Sequence, residues 1–245
     1  MKTAYKFLRT GMKSNYDGSP WVMDKWRTVP APTMECVGLN CSRMIADALG
    51  YVRGEILAKV EYRGEVIDAH TKLTCGGMRV VKAWKWDKMI SVKVAVFSAR
   101  HVLPLYEKAN PTDKRPREAI EAAEAWIKRP TKKNAAACSA KAANSAKAAK
   151  ATNSAAAAAA YAAADSAYAA YAAAAAYAAS AYAAAAAYAA ASDAASAYAA
   201  SAYAAAYSAS DAAYAAADSA ALKQKVQRYI LSLLVEQEGA GRRKG

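Results

Sequence analysis

The sequence predicts an α+β protein in which a small β-rich N-terminal domain is followed by an Ala-rich α-helical bundle. Two observations carry this. Up to about residue 97 the chain has short alternating stretches bounded by Gly, Pro and Asn clusters, together with four of the five tryptophans (Trp21, Trp26, Trp84 and Trp86). From Ala135 to Ala221 it is almost entirely Ala punctuated by Tyr, Ser, Asp and Asn, and no Gly or Pro occurs between Thr131 and Glu238, an extreme helical bias. The expected division is a mixed β-sheet domain at 1–89, an Ala/Tyr-rich helical domain at 90–238 and a basic disordered tail at 239–245.

Taken in order, residues 2–9 alternate and run into the turn cluster at 15–20, which predicts a first strand and a loop. Residues 21–29 read as a second strand, stopped by Pro30 and Pro32. In 42–49, Ser42 is placed to cap while Met44, Ile45, Ala48 and Leu49 recur at helical spacing, so a short helix ending at Gly50 is predicted. Residues 55–62, the pair Arg63-Gly64 and residues 65–67 read as strand, tight turn and returning strand. Gly76-Gly77 reads as a turn before a strand over 78–86. A helix from Ile90 carries Val94, Phe97, His101 and Val102 and is expected to stop before Pro104. Residues 115–128 place Ile120, Ala123, Glu124 and Ile127 at three- and four-residue spacing, with Pro130 as the exit. In the Ala tract, unbroken helix over roughly 70 residues would span about 105 Å at 1.5 Å per residue, so several helices are expected. The breaks fall on polar pairs such as Asn144-Ser145, Asp165-Ser166 and Ser192-Asp193, which can accept from the free N–H groups of a new helix. A last helix over 222–234 presents Val226, Tyr229, Ile230, Leu233 and Leu234 on one side.

The formal net charge of +14 suggests a nucleic acid or another anionic partner, and its location narrows the candidates. Between Asn153 and Leu222 the only charged residues are Asp165, Asp193, Asp211 and Asp218. Lys128, Arg129, Lys132 and Lys133, continued by Lys141, Lys147 and Lys150 with no acid after Glu124 in that stretch, form the candidate nucleic-acid contact. The competing reading is that spaced Lys residues only keep an Ala helix in solution. The tract tyrosines fall at irregular separations and suit core packing on several helices; Tyr161, Tyr168, Tyr171, Tyr182 and Tyr203 are the candidate partner-binding rings.

Catalytic chemistry finds little to stand on. Cys36, Cys41, Cys75 and Cys138 lack a C-x2-C pair, so free thiols in a reducing compartment are expected rather than a metal site built with His70. His101 is explained by packing or capping, and Gly76-Gly77 lacks the spacing of a phosphate loop, so no cofactor is expected. Glu55, Glu61 and Glu65 offer a weak ADP-ribosyltransferase-like alternative to ordinary solvated strand charges. No run of apolar residues is long enough for a membrane span.

Two stretches resemble known families. Residues 98–127, from Ser98-Ala-Arg-His-Val-Leu-Pro to Ala-Trp-Ile127, resemble the all-helical immunity proteins encoded beside bacterial polymorphic toxins, which also continue into Ala-rich helices. Tyr5-Lys6-Phe7-Leu8, Leu39-Asn40-Cys41-Ser42, Asp47-Ala48-Leu49-Gly50-Tyr51 and residues 54–60 look like an uncharacterised domain of phage and prophage proteins; where that family has Gly-Phe-His, this chain has Gly38-Leu39-Asn40. The resemblances imply a phage- or mobile-element-encoded, non-catalytic protein of immunity or counter-defence type that binds a protein target in the host cytoplasm. Two alternatives stand beside it: a virion or assembly protein using Ala-rich helices for subunit packing, including self-association, and a nucleic-acid-binding module acting through residues 128–150.

Overall fold

The computed structural model describes residues 1–34, 37–51, 54–149 and 220–242. They divide into two units, Met1–Asp87 with Leu234–Gly245, and Lys88–Leu233. Sheet and helices together make the protein α+β. The tract tyrosines and the expected breaks beyond residue 149 lie outside the described residues.

The first unit holds β1 (Lys2–Leu8), β2 (Arg27–Thr28), β3 (Leu39–Cys41), α1 (Ile45–Tyr51), β4 (Ile56–Ala69) and β5 (Lys72–Lys85). The sheet is antiparallel in the order β1-β4-β5-β2, with β3 also on β5. β1 lies where alternation placed it. The sheet curls until Ser42, just after β3, exchanges two 2.8 Å backbone hydrogen bonds with Tyr5 of β1. Ala4, Leu8, Val60, Leu73, Met78 and Val80 fill the inside of this curl, each worth about 1.5–3 kcal/mol when fully buried for the larger side chains.

Four expectations for this unit are corrected. The reversal at Arg63-Gly64 does not occur: β4 runs straight through to Ala69, and the register shift between Arg63 and Val66 absorbs one extra residue as a bulge. Gly64 supplies the left-handed backbone (φ 81°) that such a bulge needs. The chain turns instead at His70 (φ 60°), whose N–H is held by the Asp68 carboxylate at 3.1 Å. Gly76-Gly77 lies inside β5, whose free edge takes β3 at Leu73–Cys75 and β2 at Gly77 and Met78. Of residues 21–29 only Arg27 and Thr28 pair as a strand. The aromatic spacing there serves a loop laid over the sheet, with Trp21 buried in the core and Asp24 N–H donating to the Val80 carbonyl at 2.8 Å. Because Ser42 is committed to β1, it does not cap, and α1 starts three residues later at Ile45.

Among the described residues, the second unit holds α2 (Lys88–Ala109), α3 (Arg115–Lys128), α4 (Lys132–Ala149) and most of a C-terminal helix, Ala220–Arg242. α2 passes through Pro104 instead of stopping there. The proline stands on the exposed side while Val102, Leu103 and Tyr106 are buried, and burial of that face outweighs the missing backbone bond. α3 has the predicted bounds: Pro116 sits in its first turn, Ala119, Ile120, Ala123 and Trp126 are buried, and Pro130 follows its end. α4 continues through Asn144-Ser145, because Ser145 is buried in line with Ala135, Cys138 and Ala142 and so belongs to the small-residue face packed on α3 rather than to a cap. The C-terminal helix buries Leu222, Val226, Ile230, Leu233 and Leu234 and continues through Gly239 to Arg242, so the expected tail begins as helix; Glu238 is paired with Lys82 at 2.9 Å. No helix among the described residues is long and apolar enough to cross a membrane.

The loop between α2 and α3 is locked by Tyr106, whose hydroxyl donates to Asp113 at 2.5 Å, while the Arg115 guanidinium holds the same carboxylate at 2.6 and 2.9 Å. Burial, and then the Asp113 carboxylate, push the Tyr106 phenol up to about 12. A folded-state value above the unfolded value of about 10 stabilises the fold fully below pH ~10 and loses that contribution as pH rises through the folded value. Chemical denaturation of Tyr106→Phe is expected to show a flatter loss of stability in this alkaline window than the unaltered chain, by up to about 2–3 kcal/mol.

Candidate functional site

The junction of α3 and α4 is a fixed corner. Lys128 ends α3, Arg129 is extended (φ −145°), Pro130 prevents continuation and α4 begins at Lys132. Asn134 clamps the turn by donating to the Arg129 carbonyl at 2.9 Å and the Ala125 carbonyl at 3.3 Å, while its own N–H is held by the Thr131 hydroxyl at 3.2 Å. Lys128, Arg129, Lys132 and Lys133 are all exposed on this corner.

What leaves these cations available is the fate of the acids. Residues 88–149 contain thirteen Lys and Arg against five acids. Four of the five are taken: Glu124 is bound by Arg100 through two 2.8 Å hydrogen bonds, Glu107 by Arg117 at 2.6 and 2.7 Å, Asp113 by Arg115, and Glu118 by Lys141 at 2.6 Å, while Glu121 is exposed. The guanidiniums hold the Glu124, Glu107 and Asp113 carboxyls below their ordinary ranges. Among the described residues, Lys128, Arg129, Lys132 and Lys133 have no ion-pair partner. Lys132 and Lys133 moreover stand in the first turn of α4, where the helix dipole is positive and acids would be favoured by about 0.3–1 kcal/mol each.

The predicted basic series is thus split. Lys128, Arg129, Lys132 and Lys133 come together, Lys141 is committed to Glu118, Lys147 lies on α4 with its side chain outside the description, and Lys150 is outside the described residues, as are Tyr161, Tyr168, Tyr171, Tyr182 and Tyr203. Glu55, Glu61 and Glu65 do not share one environment: Glu55 accepts from the Thr10 hydroxyl, Glu61 pairs with Arg79 at 2.6 Å and Glu65 is exposed at the bulge. His101 Nδ1 lies 2.9 Å from the Phe97 carbonyl one turn back, a helix-surface contact. No group of three or more His, Cys, Asp or Glu among the described residues is placed to hold a metal ion.

Two groupings carry no local sequence signal. Inside the first unit, the Lys6 amine donates to the Asn40 carbonyl at 2.7 Å and lies 5.7 Å from the Trp21 ring centre; burial lowers its pKa. Beside it the Cys41 and Cys75 thiols are in contact, which raises Cys41 and lowers Cys75, and Cys75 also reaches the Leu39 and Gly77 carbonyls at 3.4 Å. Both thiols are buried, so this grouping packs the core. In the second unit, Lys93, Val96, Glu124, Ile127, Lys128 and Tyr229 line an open groove next to the basic corner. Tyr229 reaches it from the far end of the sequence. No family model matches the chain, and no curated protein or solved structure matches it either.

Proposed function

We propose that this is a non-catalytic binding protein that engages a nucleic acid through the corner formed by Lys128, Arg129, Lys132 and Lys133. The observation that carries this reading is the unequal use of charge: four of the five acids of residues 88–149, all but the exposed Glu121, are held by Arg100, Arg115, Arg117 and Lys141, and the exposed corner cations are left for an external polyanion. Phosphate contacts made this way position a nucleic acid without reading bases. An immunity or counter-defence role against a protein target draws on the resemblance of residues 98–127, and a virion role on the Ala-rich tract, which we take to extend the helical body as a bundle. Neither of those readings explains the unpaired corner charge.

Fluorescence anisotropy of a labelled oligonucleotide at increasing NaCl tests the reading on the full-length protein. Four phosphate contacts are expected to make log Kobs fall with log salt at a slope of about −3 on a single strand. Absent binding, or binding indifferent to salt, would remove the reading.

A further inference from the structure

The groove beside the corner has a volume of about 390 Å³, inside the range of about 300–1,000 Å³ typical of small-ligand sites. Val96 and Ile127 give it an apolar side, and the half-buried Tyr229 ring is held by Phe97, stacked at 4.1 Å with an interplanar angle of 8°. The carboxylate in its wall, Glu124, is neutralised by Arg100. Two ammonium groups, Lys93 and Lys128, therefore set the charge of the groove, and Lys128 also belongs to the basic corner. Apolar and aromatic surface beside two cations suits a flat ring that carries an anionic group.

Resting on the nucleic-acid reading above, we propose that this groove receives one unstacked nucleotide of a single strand. Its base lies against Tyr229, Ile127 and Val96, its phosphate between Lys93 and Lys128, and the neighbouring phosphates run on to Arg129, Lys132 and Lys133. A duplex keeps its bases stacked inside and offers the groove only backbone, whereas a single strand can turn a base out onto an aromatic ring. The site thus selects for unpaired nucleic acid without requiring a particular base, since every base has a face to stack.

The test compares affinities of the full-length protein for a thymidine oligonucleotide and for a blunt duplex of equal phosphate count at one salt concentration. The single strand is expected to bind at least about tenfold tighter, the effect of roughly one stacked base. Lys93→Glu and Ile127→Trp, each checked for native circular dichroism, are expected to bring that ratio close to one. Lys108→Glu, an exposed cation on α2 outside groove and corner, is expected to leave the ratio unchanged. Equal binding of both nucleic acids by the unaltered chain, or groove variants that keep the preference, would overturn the single-strand assignment while the corner reading stands. Failure to bind either nucleic acid would remove both.

Discussion

Reversing the corner charges together, as Lys128→Glu, Arg129→Glu, Lys132→Glu and Lys133→Glu, is expected to lower affinity for an oligonucleotide by at least about 100-fold at low salt and to flatten its salt dependence. The size follows from the mechanism. Each cation that releases a counterion from a phosphate contributes its own increment to the salt slope, and reversal adds repulsion where attraction stood. The fold is expected to survive the change. Glu at positions 132 and 133 suits the first turn of α4, while acids at 128 and 129 suit the end of α3 less well, so the dipole effects of about 0.3–1 kcal/mol per residue largely cancel. The Asn134 clamp uses backbone carbonyls and is untouched by the substitutions. Thermal unfolding of the variant should therefore match the unaltered chain while binding is lost. Retained affinity with a native melt would show that the phosphate contacts lie elsewhere.

Gly54→Ala is expected to destabilise the first unit by about 3 kcal/mol. A Cβ at Gly54 would stand 2.4 Å from the Leu8 carbonyl oxygen and 2.9 Å from its carbon, which are backbone atoms that cannot swing aside. Leu8 is paired with Ile56 at the start of β4, so relief requires β1 to move away from β4 and strips contacts from buried Phe7 and Leu57. Urea unfolding followed by tryptophan fluorescence reads this directly, because Trp21, Trp84 and Trp86 are buried in that unit. Gly239→Ala is the matching control: its Cβ meets nothing within 4 Å, and in a helix the change should stabilise by about 0.5–1 kcal/mol. A Gly54→Ala midpoint unchanged from the parent would contradict the close approach.

The elements most legible in the sequence are those punctuated at both ends. α3 is preceded by Asp113, carries Pro116 in its first turn and is followed by Pro130, and its bounds are those the spacing predicts. β1 is marked by simple alternation. Where local chemistry competes with tertiary pairing, the sequence misleads. Arg63-Gly64 looks like a reversal but is a bulge in a strand whose partner continues past it, and the true turn is held by an Asp68 contact that no dipeptide signal marks. Pro104 and Asn144-Ser145 look like helix ends, yet burial of Tyr106 on one helix and of Ser145 on the other keeps each intact. The basic run at 128–133 is equally plain from composition. That Lys141 is taken by Glu118, and that Glu124 is silenced by Arg100, depend on contacts between residues more than twenty positions apart. The groove needs Tyr229 brought beside Ile127, which no local pattern encodes.

Amide hydrogen exchange of the full-length protein, with and without a single-stranded oligonucleotide at low salt, shows whether the α3–α4 corner is where nucleic acid binds. Added protection over residues 128–134 at the α3–α4 corner, spreading to the groove around Lys93 and Tyr229, is the predicted result. Protection confined to the sheet of the first unit, or no change at the corner under conditions where the oligonucleotide is bound, would contradict it.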